Sequence, residues 1–153
     1  MLTKKGKYGL KAAVYLASLP PGESASIADI AMINLIPKKF LDSILRELRN
    51  AGLLRARKGR GGGYALAKAA QSISVGQVIR VLDGPIEPIA CAGRDKDDHC
   101  DDCPDKSACA IQKVMREVAI ATARIVDGKT LAEMAEGSHE MWAMTMMAPR
   151  AGD

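Results

Sequence analysis

The stretch RARKGRGGGYAL, residues 55–66, limits the fold more than any other part of this chain. Four glycines in five residues can only be a tight tip, because glycine alone enters left-handed backbone without steric cost. On either side stand short alternating runs, with Leu54, Ala56 and Lys58 interleaved with Leu53, Arg55 and Arg57. Such a pattern predicts a β-hairpin with a narrow cationic end carrying Arg57, Lys58 and Arg60. A phosphate-cradling loop is a poor match, since neither the lysine-serine ending nor a following helix is present.

Three helices are predicted ahead of this hairpin. The first runs from Thr3 to Ser18 and stops at LPPGE, where two prolines and a glycine punctuate the chain. In SIADIA, Ser26 caps a second, short helix and Asp29 supplies the reciprocal acid. Pro37 then opens a third helix through KKFLDSILRELRNAG that closes at Gly52, with Phe40, Ile44, Leu45 and Leu48 as its expected buried stripe. Lys38, Lys39, Asp42, Ser43, Arg46 and Arg49 fall largely elsewhere. Two helices joined by a short turn and followed by a basic hairpin describe a winged helix-turn-helix.

Charge agrees with that assignment. Residues 1–70 hold thirteen Lys/Arg against four Asp/Glu, whereas residues 71–153 hold nine against fourteen. The first half is therefore strongly basic, and an anionic partner, double-stranded DNA, is the expectation. Lys38 and Lys39 are candidates for phosphates, Ser43 and Arg46 for base edges, and Arg57, Lys58 and Arg60 for a groove edge. No continuous apolar run suggests a secretory leader or a bilayer span, so a cytoplasmic protein with no membrane partner is expected.

Beyond the hairpin, SVGQVIRVLDG (74–84) predicts a further helix, and another runs from Ala108 to Val126 or Asp127. In the latter, Ile111, Met115, Val118, Thr122 and Ile125 step by four and three, the seam of a helix that meets a partner helix. A homodimer is expected, since paired reading heads match palindromic sites. Thr130 caps a last short helix, LAEMAE, and the methionine-rich end is expected to be a flexible tail. The expected class is thus mostly α, a winged helix-turn-helix with a two-stranded β wing followed by a long dimerisation helix. Its divisions are 1–83 for DNA binding, 84–110 for a cysteine-rich loop, 111–136 for the dimerisation and C-terminal helices, and 137–153 for the tail.

All four cysteines lie in CAGRDKDDHCDDCPDKSAC, residues 91–109, at the spacing C-x8-C-x2-C-x5-C and among six aspartates. A reducing compartment argues against a disulfide framework. Cys91, Cys100, Cys103 and Cys109 offer the four thiolates that iron–sulfur clusters take, [2Fe–2S] or [4Fe–4S]. The same residues also suit structural zinc, with His99 able to replace one thiol, and a thiol–disulfide switch. Catalysis by the CDDC segment lacks the strand–CxxC–helix setting of thiol oxidoreductases, so no enzyme is expected. A scaffold without DNA binding is the remaining rival.

Taken together, LTKKGKYGLKA, LRNAGLLRARKGRGGGYAL, ISVGQVIRVLDGPI and the cysteine loop resemble the Rrf-two family of bacterial winged-helix regulators, which includes the IscR, NsrR and RirA types. The resemblance spans roughly residues 1–135. It implies a cytoplasmic homodimer, a repressor on palindromic promoter DNA, whose loop cysteines hold an iron–sulfur cluster that senses iron, redox state or nitric oxide. By position Cys91, Cys103 and Cys109 correspond to the family's three cysteines. Gln112 stands where IscR-type members place a histidine, and no carboxylate lies near Lys7, where other members recruit one. The resemblance therefore leaves Cys100 as the fourth ligand.

Overall fold

The structure, a computed structural model, describes residues 2–93, 102–103, 105, 108–138 and 142. Helix α1 (Lys4–Ser18) starts where the Thr3 side chain accepts from the Gly6 N–H. The Thr3 N–H donates to Asp83 at 2.9 Å, so the first residues are pinned to the far end of α4 (Val75–Asp83). Helix α2 (Ile27–Asn34) is capped by Ser26, whose Oγ accepts from Asp29 N–H at 3.1 Å. Leu35 follows at φ 53°, a left-handed position where a branched side chain is strained, and its own N–H closes the helix onto the Ala31 and Met32 carbonyls. That turn aims α3 (Lys38–Asn50).

Pro37 sits at the N-cap of α3 rather than inside its first turn. The buried stripe is Leu41, Ile44, Leu45 and Leu48, an i, i+3, i+4, i+7 pattern. Phe40, expected in that stripe, points to solvent at 57% exposure. The correction is one residue of rotation: Leu41 completes the stripe, and Phe40 moves to the basic face.

The wing is β1 (Leu54–Arg57) paired antiparallel with β2 (Gly63–Leu66), in the register Leu54↔Leu66 to Arg57↔Gly63. It is anchored near its tip, one pair from the turn, where Ala25 and Tyr64 exchange both backbone hydrogen bonds, at 3.0 and 2.8 Å. Gly63 makes this possible. A Cβ there would lie 2.0 Å from the Ala25 carbonyl oxygen, and its φ of 153° is one that L side chains rarely adopt.

After a 3-10 turn (Ala70–Ser72), α4 packs against α1, and a second such turn (Ala90–Ala92) leads to α5 (Ala110–Asp127). Helix α6 (Leu131–Glu136) returns to α1. There Leu131 N–H donates to Ile73 O at 2.9 Å, and Leu131 and Ala135 are buried with Ile73, Val78 and the α3 stripe. The sequence grouped α6 with the long helix, but its side chains join the core of the reading head. Helix α5 contributes only Ala119 to the buried set.

Trp142 lies in the stretch expected to be a flexible tail, yet it is buried. Its ring meets Tyr15 edge-on, centroids 5.7 Å apart and planes at 72°. Its Nε1–H donates at 3.3 Å to Oδ1 of Asn34, a buried amide whose Nδ2 donates to Ile30 O at 3.0 Å. Trp142→Ala is expected to cost about 3 kcal/mol in urea denaturation, because it empties an aromatic site and strands the Asn34 oxygen. Trp142→Phe, which loses chiefly the hydrogen bond, should cost about 1 kcal/mol.

Candidate nucleic-acid interface and metal centre

The first turn of α3 and the wing display the predicted cations. Lys38, Lys39, Ser43, Arg46, Arg57, Lys58 and Arg60 are all exposed. Ser43 Oγ donates back to the Phe40 carbonyl at 3.0 Å, and Arg46 pairs with Asp42 one turn earlier at 2.6 Å. Both members of that pair are about half exposed, which makes it weak and readily exchanged for a ligand. Phe40 is the residue of this surface that sequence reading missed. The signal was available, since Leu41 fits the helical spacing to Leu45 and Leu48 better than Phe40 does.

At the other end of the chain, the N-terminus of α5 brings Cys103 and Cys109 together. Cys109 is the N-cap, and its Sγ accepts from Gln112 N–H at 3.4 Å. That bond, then a hydrogen bond with the Cys103 side chain, holds the Cys109 thiol below the ordinary thiol range against the opposing effect of desolvation. Gln112, a poor cluster ligand by chemistry, has a different task here. Its Nε2 donates to the Cys91 carbonyl at 2.8 Å and ties the Ala90–Ala92 turn to the first turn of α5. Cys91, Cys103 and Cys109 are partly exposed, while Cys100 and His99 lie outside the described residues.

Among the described residues no three His, Cys, Asp or Glu side chains form a ready-made ion site. The donor set nonetheless fits a soft centre. Thiols collected at a helix N-terminus, with one favoured as thiolate, are what iron–sulfur or zinc ligation requires.

The outer face of α5 is apolar and uncovered. Of the seam read from the sequence, Ile111, Val118 and Ile125 are exposed and Met115 and Thr122 half-buried, with Val114 exposed beside them. Among the described residues no helix is long and apolar enough to cross a membrane.

Known proteins resemble this chain in sequence and fold. The family model Rrf2, described as an iron-dependent transcriptional regulator, matches residues 2–137. An Rrf2-like HTH-type transcriptional regulator of Rhodobacter capsulatus is 42% identical over 137 residues, 88% of this chain and 91% of that protein. Among solved structures, CymR, the global cysteine regulator of B. subtilis, matches with a TM-score of 0.75 and 28% identity, over 90% of this chain and 97% of that one. IscR of T. potens matches with a TM-score of 0.71 and 28% identity, over 97% and 93%. The oxidised form of Staphylococcus aureus CymR gives 0.68 and 30%, over 89% and 96%. With a winged helix-turn-helix, a family-wide match and these relatives, the chain belongs to the Rrf2 family, whose members are DNA-binding transcriptional regulators and not enzymes.

Proposed function

We propose that two copies of this chain pair along α5 and bind palindromic promoter DNA as a repressor, and that an iron–sulfur cluster held by Cys91, Cys100, Cys103 and Cys109 sets the affinity. The observation that carries this reading is the position of the thiols. Cys103 and Cys109 meet at the first turn of the helix whose other face, apolar and exposed, is the pairing surface. Cys91, Cys100, Cys103 and Cys109 would hold the cluster, whose ligand bonds would link their segment to the start of α5. The chain does the rest. Gln112 holds the Cys91 turn against α5, Arg80 holds Asp127 at the helix's other end, and α4 carries any displacement to α1 and the reading head.

On DNA, Lys38 and Lys39 meet phosphates, and Ser43 and Arg46 reach base edges. Phe40 offers an apolar surface to thymine methyl groups. Arg57, Lys58 and Arg60 lie along the groove edge, where negative potential attracts them. Arg60→Ala is expected to weaken promoter binding about fivefold and to lower the slope of log affinity against log salt by about one. Fluorescence anisotropy at several salt concentrations measures both. An unchanged slope would remove Arg60 from the interface.

Iron and acid-labile sulfide analysis of anaerobically purified protein tests the cofactor. About two or four of each per chain and a brown colour are expected. A colourless protein with one zinc per chain would replace the cluster with a structural ion.

A second reading has its own support. Cys103 and Cys109 are already hydrogen-bonded and Cys109 leans toward thiolate, as a redox switch requires. One relative is named for cysteine regulation and another was solved in an oxidised form. In this version a peroxide oxidises the pair: a disulfide forms, and the two electrons and two protons lost reduce the peroxide to water. Iron-free protein that loses two hydrogens per chain on peroxide treatment, in a Cys103–Cys109 linked peptide, would favour it.

A further inference from the structure

A cavity of about 390 Å³ opens between α4, α5 and the segment that carries Cys91. It lies behind α5. Its α5 lining, Arg116, Ala119, Ile120, Ala123, Arg124 and Asp127, is on nearly the opposite side of the helix from Ile111, Val118 and Ile125, about 170° round the axis. Pairing along the apolar seam leaves it open.

Its chemistry is specific. Arg80 and Asp127 satisfy each other through two bonds of 2.6 and 2.9 Å. Gly76 gives that pair its place, since a Cβ there would sit 1.9 Å from Asp127 Oδ1. Three charges remain. Glu87 lines the cavity near Arg80, whose positive charge it favours, and among the described residues its buried Oε2 accepts no hydrogen bond. Arg116 and Arg124 also line the cavity and make no ion pair among the described residues. Between these poles the walls are Ile86, Ala92 and Ala123.

An under-solvated carboxylate favours a cationic donor, and two guanidiniums with no carboxylate favour an anion. We infer that this cavity is a binding site for a small zwitterion of the α-amino-acid class. Its ammonium faces Glu87, its carboxylate faces Arg116 and Arg124, and its short side chain lies on the alanine and isoleucine walls. An amino acid fits the volume comfortably. Ala92 and Gly93, next to Cys91, form part of the wall, so an occupant would stiffen the turn that Gln112 ties to α5. The site does not depend on a cluster, and its test involves neither iron nor DNA.

The full-length protein would be screened by thermal shift against the standard L-amino acids, and the strongest titrated by calorimetry. One site per chain is expected. The matching acid without its amine, and the methyl ester without its carboxylate, should each bind about tenfold weaker or worse. Glu87→Gln should lose at least as much. Ala123→Leu, which fills the cavity on a helix-favouring side chain, should abolish binding and guards against misfolding of the first variant. No response to any amino acid would overturn the inference. So would equal binding of the ester or deaminated analogue, or wild-type affinity in both variants.

Discussion

A chain with glutamate at both Val118 and Ile125 is expected to run as a monomer and to bind its promoter about 100-fold more weakly than the parent. Both positions are exposed in the single chain, at 44% and 66%, so the substitutions leave its own core intact. In a pair of α5 helices the same positions face a second copy, and buried carboxylates without partners there cost several kcal/mol. Loss of pairing removes the gain from engaging two half-sites at once, typically a factor of about 10² to 10⁴. Sedimentation velocity and anisotropy on the same samples check both halves. A dimer that persists, with full affinity, would move the pairing surface elsewhere.

The second large effect concerns Cys109, which is both a proposed ligand and the N-cap of α5. Two substitutions separate the roles. Cys109→Ser keeps an oxygen able to cap Gln112 N–H and removes the soft ligand, whereas Cys109→Ala removes both. Both variants are expected to lose at least about nine-tenths of the bound iron, because a four-thiolate centre tolerates few substitutions. Only the alanine variant should also lose the cap, at a cost of about 1 kcal/mol in the stability of the iron-free protein. Metal analysis and urea denaturation read the two quantities independently. Iron retained in both would remove Cys109 from the ligand set.

Much of the reading head was legible because its signals are local. Ser26 and Thr130 cap the helices that follow them, Gly52 ends α3, and the glycine run makes the wing. The misplacement of Phe40 came from a spacing that suits two rotations of one helix. Phe40, Ile44 and Leu48 keep an i, i+4, i+8 spacing, but Leu41 fits Leu45 and Leu48 better, and Leu41 is the residue that the core buries. Trp142 was illegible for another reason. Its partners, Tyr15 and Asn34, lie more than a hundred residues away in sequence, and no local pattern encodes a contact of that range.

The cysteine region divides along the same line. The four thiols and their spacing stand in the sequence, but the role of Gln112 depends on a long-range bond to Cys91 that only the fold creates. The rear cavity likewise joins Arg80, Glu87 and Arg116 from three segments. Leu35 in a left-handed turn gave no warning either, since glycine or asparagine is the usual occupant of such a position.

The most direct test of the cluster account is promoter affinity of one anaerobic preparation, measured before and after a chelator strips its iron. The account predicts a change of about 5- to 150-fold between the two states, reversed when iron and sulfide are restored. Identical affinities for the loaded and stripped protein would contradict it.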